Sequence, residues 1–414
     1  MSVKDTNVGK EEFLQEVLRY HQFPRPGKLG ILTTKPLDNP RDLALAYSPG
    51  VALPCTKIAE NIQDVYKYTA RRNRVAVISN GTAVLGLGNL GAAASKPVME
   101  GKAALFKVFA DIDAIDLEVN TQDPEEFIKV VSNLQYSFGG INLEDIKAPE
   151  CFMIEERLQE LLDIPVFHDD QHGTAIVLLA GIMNAALVTN RKLTNMRVVV
   201  NGAGAAAIAC LELLLAAGLN KEQVVLCDSQ GVVFKGRERG MNKWKEKFAT
   251  SHNYASMREA IVGTDVLIGL SVANSFDQEM IKSMNKEPIV FAMSNPNPEI
   301  MPEDVLAVAP DAIVATGRSD YPNQINNLLC FPYIFRGALD AEATSINLQM
   351  KLSAAEAIAQ LAQLPVHNDV ELIYQRRLSF GKNYLVPTPF DRRLLDTVPQ
   401  AVAACVQGAP YASF

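Results

Sequence analysis

The tightest constraint on the fold lies in residues 197–209, RVVVNGAGAAAIA. A β-branched run passes into Gly202-x-Gly204-x-x-Ala207 and continues without a break into an Ala/Leu-rich helix over 205–217. Gly218, a second strand (224–226) and Asp228 follow. Strand, glycine fingerprint, helix, second strand and terminal acid in this order describe a βαβ unit that binds a dinucleotide. Gly202 and Gly204 admit a pyrophosphate to the helix N-terminus at Ala205, where free N–H groups and the helix dipole stabilise anions. Asp228 stands where such units accept a hydrogen bond from a ribose hydroxyl. Three more apolar runs, at 263–271, 288–296 and 312–317, each end in small or polar residues. The second half therefore reads as a doubly wound parallel sheet of the α/β class.

A different chemistry is written upstream. Residues 164–167 form an apolar strand that closes on Asp169 and Asp170, then passes Gly173 into an apolar run over 174–186. Residues 138–145 repeat the pattern and close on Glu144 and Asp145, with a helix-length segment (151–162) between the two. Carboxylates at the C-terminal ends of parallel strands lie on the rim where open α/β sheets hold ligands. Crowding them is costly unless a cation sits among them, which points to a hard divalent metal. The plainer alternatives are a helix cap for one pair and a solvated strand end for the other. His168 and His172 also stand four apart, as in zinc proteases. That motif needs both on one helix with Glu in its second position; here Asp169 fills it, and Gly173 is expected to precede the helix.

Composition bounds the rest. A chain of 414 residues holds two domains with ample apolar residues for two cores. A net charge of −8 and a pI near 5.3 argue against nucleic acid or an anionic membrane surface as partner. Six scattered cysteines without CxxC spacing read as reduced thiols of a cytoplasmic protein. The N-terminus is charged and helix-patterned, unlike a signal peptide. The longest apolar run, 174–188, is interrupted by Gly181 and Asn184 and reads as too short to span a bilayer.

In chain order, an amphipathic helix over 11–21 precedes a Pro/Gly-rich loop at 23–27, and Tyr47 stands directly before the Pro49-Gly50 turn. Arg74–Ser79 is a strand leading into the glycine-dense stretch 80–91, either a close-packed turn or a place where backbone approaches a ligand. Lys102 sits in the apolar helical segment 97–106. It either snorkels to solvent or, if buried, becomes a candidate base through desolvation. A strand at 114–119, helices at 123–135 and 352–364, an amide-rich loop at 318–327 and a final helix over Arg393–Val406 complete the chain.

The motifs YSPGVA, GLGNLG, MEGKAALFK, GGINLEDI, PVFHDDQHGTA, NGAGAAAIA, MSNPNPEI, GRSDYPNQINN and FPYIFRGALD together resemble the malic enzyme family, the small bacterial form in particular, over nearly the whole chain. The resemblance implies oxidation of L-malate by NAD or NADP and decarboxylation to pyruvate with Mg²⁺ or Mn²⁺. It implies Glu144, Asp145 and Asp170 as metal ligands, with Asp169 in support behind them. Lys102 would be the base on the malate hydroxyl and Tyr47 the acid that protonates the enolate. Asn295, Asn326 and Asn327 would line the substrate, Asn295 also the nicotinamide. Gly202, Gly204, Ala205, Ala207 and Asp228 would hold the cofactor. The implied architecture is an N-terminal α/β catalytic domain (1–163, with a helical arm 1–41), a Rossmann NAD(P)-binding domain (164–340) and a C-terminal helical segment (341–414) packing back on the body. A cytoplasmic homodimer or higher homo-oligomer is expected, with no nucleic-acid or membrane partner.

Two departures from the family stand out. Larger members carry a carboxylate-gripping arginine just before GLG, where this chain has Ala83-Val84. Some relatives continue into a phosphotransacetylase-like domain, whereas this sequence ends at Phe414 and is expected to lack it. For the cofactor, Asp228 opposes a 2′-phosphate and favours NAD, whereas small bacterial relatives often use NADP with an acid at this place. Lys235, Arg237 and Arg239 can pair with the phosphate or form a solvated face; the resemblance leans to NADP. A malolactic enzyme and a metal-independent amino-acid dehydrogenase are the rival enzymes, and a nucleotide-sensing module is the non-enzymatic alternative.

Overall fold

The structure, a computed structural model, describes residues 3–406 and Gly408. Its first helix, α1 (Val3–Gln22), begins eight residues earlier than the apolar pattern alone indicates. No residue from 11 to 64 is buried, which extends the expected arm (1–41) to residue 64, although Phe13, Leu18, Phe23, Ile31, Leu32 and Leu45 lie on it.

The first sheet is parallel throughout, in the order β2-β1-β3-β4: β1 (Arg74–Ser79), β2 (Asp113–Glu118), β3 (Gly140–Leu143) and β4 (Val166–His168). Between β1 and β2 runs α2 (Ala92–Ala110), longer at both ends than the 97–106 segment suggests. Between β3 and β4 runs α3 (Glu150–Leu161). The sequence division at 163/164 counts β4 with the second domain, yet its backbone pairs with β3 in the first sheet.

β4 leads directly into α4 (Asp169–Val188), with no break at Gly173. This corrects the expected helix start by five residues. Gly173 is small here for packing and not to end the helix: a β-carbon on it would strike the Asp169 carboxylate and lie 3.0 Å from the Asn327 side chain. The twenty residues of α4 are long and apolar enough, by length and composition, to cross a membrane, a reach the run 174–188 did not have. Fourteen of them are buried in the protein, since a helix apolar on every face needs neighbours on every face.

The second sheet has the order β10-β9-β8-β5-β6-β7. Its strands are β5 (Val198–Asn201), β6 (Val224–Asp228), β7 (Gly231–Val232), β8 (Val266–Gly269), β9 (Ile289–Ala292) and β10 (Ile313–Thr316). All pairs are parallel except β6–β7, a hairpin edge absent from the sequence reading and turned at Gly231, φ 99°. The strand order reverses between β5 and β8, which opens a crevice at their C-terminal ends. The fingerprint helix α5 (Ala205–Ala216) packs on α4, and a short helix, α6 (Lys243–Glu246), follows the hairpin.

Three late helices close the body: α7 (Phe331–Asp340), α8 (Leu348–Gln363) and α9 (Arg393–Val406). α8 packs on α4, and α9 packs on both α7 and α8. α7 returns to the first sheet. Phe331 and Phe335 stack edge-on against Phe106 of α2, ring centroids 4.8 and 5.4 Å apart, and Phe335 meets Phe167 of β4 at 5.7 Å. One continuous apolar core therefore joins the two sheets through α4 and α7.

Candidate active site

Parallel pairing aligns the C-terminal ends of β3 and β4, and the acids that follow both strands meet there. Ligand oxygens of Glu144, Asp145 and Asp170 lie within 4.8 Å of one another. Glu144 and Asp145 are buried, and a third of the Asp170 side chain is open to solvent. The Asp145 backbone N–H donates to Asp170 Oδ2 at 2.8 Å, and Asp145 holds φ 53°, a left-handed conformation rare outside glycine. Strain of this kind persists where surrounding contacts over-determine it, commonly at ligand sites. Here the Asp145 carbonyl accepts from Ala83 N–H at 2.9 Å, and its neighbour Glu144 accepts from Asn142 Nδ2 at 2.9 Å.

Lys102 reaches this cluster from α2. Its ammonium pairs with Asp169 Oδ2 and with Glu144 Oε1, the latter at 3.0 Å, and lies 4.1 Å from the Phe331 ring centroid. It is buried, so it does not snorkel. Burial alone would lower its pKa, but Asp169, Glu144 and Asp170 together outweigh burial and hold it above the ordinary lysine range. Burial pushes Glu144 up to about 7, helped by Asp170 and opposed by Lys102. Burial likewise pushes Asp169 up to about 7 against the pull of Lys102. Four acids facing one lysine leave an excess of negative charge, all of it on hard oxygen donors. Three of them are spaced to share one ion, so the set fits a divalent Mg²⁺- or Mn²⁺-type cation.

Behind the cluster lies a residue that the sequence did not flag. Glu155 of α3 is buried and accepts from three donors of the β4–α4 turn: His168 N–H at 3.0 Å, Gln171 Nε2 at 3.1 Å and His172 Nε2 at 2.9 Å. His168 occupies the N-cap position of α4 and gives Glu155 its backbone N–H, and His172 spends its Nε2 on the same carboxylate, so both tie the turn that carries Asp169 and Asp170 to α3. A lone Glu on an amphipathic helix carries no sequence signal for such a task.

The remaining predicted residues divide. Asn327 Nδ2 donates to Asp169 at 2.5 Å and so joins the cluster. Asn326 spends its Oδ1 on Leu328 N–H, capping the turn Asn327–Leu329. Asn295 is exposed after β9, its carbonyl facing Gly86 of the glycine-rich stretch and its amide facing Gly317. Glu299, also unforeseen, is fully buried and accepts from Ser271 N–H (2.8 Å) and Ser294 N–H (3.0 Å), tying together the loops after β8 and β9. Tyr47 is not brought to the cluster. It is 71 % exposed on the arm and makes no side-chain hydrogen bond with the cluster among the described residues.

The dinucleotide unit has the expected form. Gly202, at φ 114°, has no room for a side chain because a β-carbon there would strike the Leu270 carbonyl, whereas the same position on Gly204 faces open space. α5 starts at Ala205 without a side-chain cap, leaving its first N–H groups to a ligand, and Ala207 is buried beneath them. Asp228, expected to face a ribose hydroxyl, is clamped by two cations. Arg237 grips both its oxygens (2.9 and 2.5 Å) and Lys245 adds a third contact at 2.7 Å. Although burial opposes it, these partners hold its pKa down at about 2. Lys235 and Arg239 are exposed.

The crowding at Gly173 gives a direct test of this packing. Gly173→Ala is expected to cost about 1–3 kcal/mol, the usual penalty of overpacking, read as a lower urea midpoint with an unchanged denaturant slope. An unaltered midpoint would show that Asp169 is free to move aside.

Two family models match the chain: "Malic enzyme, N-terminal domain" over residues 26–159 and "Malic enzyme, NAD binding domain" over residues 171–375. The NADP-dependent malic enzyme of Rhizobium meliloti is 59% identical over 390 residues, covering 94% of this chain and 51% of that protein. The chain spans about half the length of the curated relatives it matches first. The NADP-dependent malic enzyme of Halomonas elongata is 53% identical over 94% of this chain and 92% of its own length. The crystal structure of malic enzyme from Pyrococcus horikoshii superposes with a TM-score of 0.88 at 39% identity, over 97% of this chain and 93% of that one.

Proposed function

The chain belongs to the malic enzyme family, and from that premise we propose that it oxidises L-malate with NADP and decarboxylates the product to pyruvate. The observation that carries this reading is the burial of Lys102 among Glu144, Asp169 and Asp170 on the rim beside a dinucleotide unit. Glu144, Asp145 and Asp170 would hold a divalent cation, which draws electrons from the C2 oxygen and stabilises the enolate left by CO₂ loss. With those carboxylates committed to a cation, fewer charges hold the proton on Lys102. Burial then favours the neutral amine that can take the malate hydroxyl proton. Asp169 and Asn327 fix the lysine's position through their shared hydrogen bonds. Asn295 and Asn326 remain candidates for the substrate and nicotinamide side of the crevice.

The acid that protonates the enolate is assigned to Tyr47, acting from a second copy of the chain. The support is the arm itself, which exposes Phe13, Leu18, Phe23, Ile31, Leu32, Leu45 and Tyr47 and buries none of them in its own chain. Apolar surface of this extent marks an interaction site, and a homodimer would cover it while placing the phenol beside the partner's lysine. We place the enzyme in the cytoplasm on its acidic charge and scattered free cysteines.

Cofactor choice follows from Asp228. Neutralised by Arg237 and Lys245, it no longer repels a 2′-phosphate, and Lys245, the more open of the two cations, can pair with one. NADP is expected to exceed NAD in kcat/KM by about ten- to hundredfold, the worth of one charge-assisted contact. Equal values with the two cofactors would remove the assignment.

Turnover of L-malate with NADP and Mn²⁺ is expected to release pyruvate in step with reduced cofactor, followed by nicotinamide absorbance, and to stop after chelation and dialysis. Full activity without metal would sink the carboxylate assignment. Lactate in place of pyruvate, with no free reduced cofactor, would favour the malolactic reading.

A further inference from the structure

Lys245, one of the two cations on Asp228, is carried by a helix too short to be stable by itself. α6 has four residues, far below the length at which an isolated helix is stable. Its local supports include the Asn242 cap, whose Oδ1 accepts from Trp244 N–H (3.1 Å) and Lys245 N–H (2.9 Å), the bond from Lys245 Nζ to Gly240 O at 2.8 Å, and, just beyond it, the exposed Lys247–Glu212 pair to α5 at 2.7 Å. The remaining support comes from the first sheet's layer. Trp244, the chain's single tryptophan, lies on Phe152 of α3 with ring centroids 4.6 Å apart and an interplanar angle of 30°. Lys243 sits 4.4 Å over the same indole and pairs with Glu156 of α3 at 3.2 Å. The ion pair is more than half exposed on both sides and contributes little. Phe152 is buried, so the aromatic contact dominates.

Phe152, Glu155 and Glu156 are spaced i, i+3, i+4 and share one face of α3. Through Glu155 that face braces the turn bearing Asp169 and Asp170, and through Phe152 it holds α6. A single helix thus supports the carboxylate cluster at one place and the ribose end of the dinucleotide unit at another. We infer that Trp244 is a positioning residue for cofactor selection: docked on Phe152, it holds Lys245 against Asp228, where the pair receives a dinucleotide bearing a 2′-phosphate. This rests on the cofactor reading above and assigns its geometric support. Among the described residues the ring of Trp244 meets Phe152 and Lys243, and its effect on Asp228 passes through Lys245.

Steady-state kinetics of the 414-residue chain with NADP and with NAD separate the possibilities. Trp244→Ala is expected to raise KM for NADP about tenfold, as for one lost charge-assisted contact, with KM for NAD and kcat at saturating cofactor within about twofold of the parent. Trp244→Phe, which keeps a ring on Phe152, should restore most of the NADP affinity. Phe152→Leu should act in the same direction as Trp244→Ala and serves as the second variant if that protein fails to fold. Lys245→Ala is measured in parallel. If it raises KM for NADP while Trp244→Ala and Phe152→Leu do not, the positioning role is overturned and the cofactor reading stands. If Lys245→Ala leaves KM for NADP unchanged, the cofactor reading fails and the positioning role with it. Equal rises in KM for NADP and NAD would show Trp244 to be a general packing residue and overturn the proposal.

Discussion

Asp170→Ala is expected to abolish malate oxidation and oxaloacetate decarboxylation together and to weaken Mn²⁺ binding by more than about a hundredfold, the upper end of the cost of losing a residue that only supports a metal ligand. Two features of the site set this scale. Asp170 is the one member of the cluster supplied by α4, so its loss leaves Glu144 and Asp145, adjacent on one strand end, to hold the ion from one side. Its Oδ2 also accepts the N–H of Asp145 at 2.8 Å, and that bond helps keep Asp145 in its left-handed conformation. Removing the carboxylate therefore takes away a ligand and loosens a second one. Direct titration of the protein with Mn²⁺, followed by paramagnetic resonance of the free ion, measures the loss without relying on turnover. Near-parental affinity would show that the three acids do not form one site.

That cluster was legible because β-strand ends in parallel sheets are predictable from short apolar runs, and acids directly after two such runs have few other places to go. The dinucleotide unit was legible for the same kind of reason: its strand, glycine turn, helix and second strand follow one another without interruption in the sequence. The start of α4 was not. Gly173 reads as a helix breaker by local propensity, yet it lies inside α4 and is glycine because Asp169 and Asn327 occupy the space a side chain would need, and Asn327 is 154 residues away. The setting of Asp228 was half legible. Its acid character and the nearby Arg237 were visible, but only the fold brings Lys245 across from α6 to the same carboxylate. Glu155 and Glu299 were invisible because a buried glutamate that accepts backbone N–H groups looks like any other glutamate in sequence. The division at 163/164 failed at β4 for a related reason: strand membership is decided by pairing, and α7 returns to the first layer after the whole second sheet has been built.

Mixing two inactive proteins is expected to create activity. Lys102→Ala removes the proposed base of oxidation, and Tyr47→Phe the proposed acid needed after CO₂ has left. Each variant alone should therefore fail, the first at hydride transfer and the second mainly at release of pyruvate. If Tyr47 serves its own chain, every subunit in a mixture carries a defect at its own site and no combination recovers. If it serves a second copy, a mixed dimer has one site lacking both groups and one site in which both groups are intact. Random re-association of equal amounts in a two-fold dimer makes half the dimers mixed. About one quarter of parental activity should then appear. The arm argues for the second case: Tyr47 is 71 % exposed, no residue from 11 to 64 is buried, and Lys102 lies buried on the rim of the first sheet. Recovery should require mild dissociation before mixing, and should be absent when Lys102→Ala is mixed with a Lys102→Ala/Tyr47→Phe double variant. A mixture that stays inactive after verified subunit exchange would return Tyr47 to its own chain, or remove it from the mechanism.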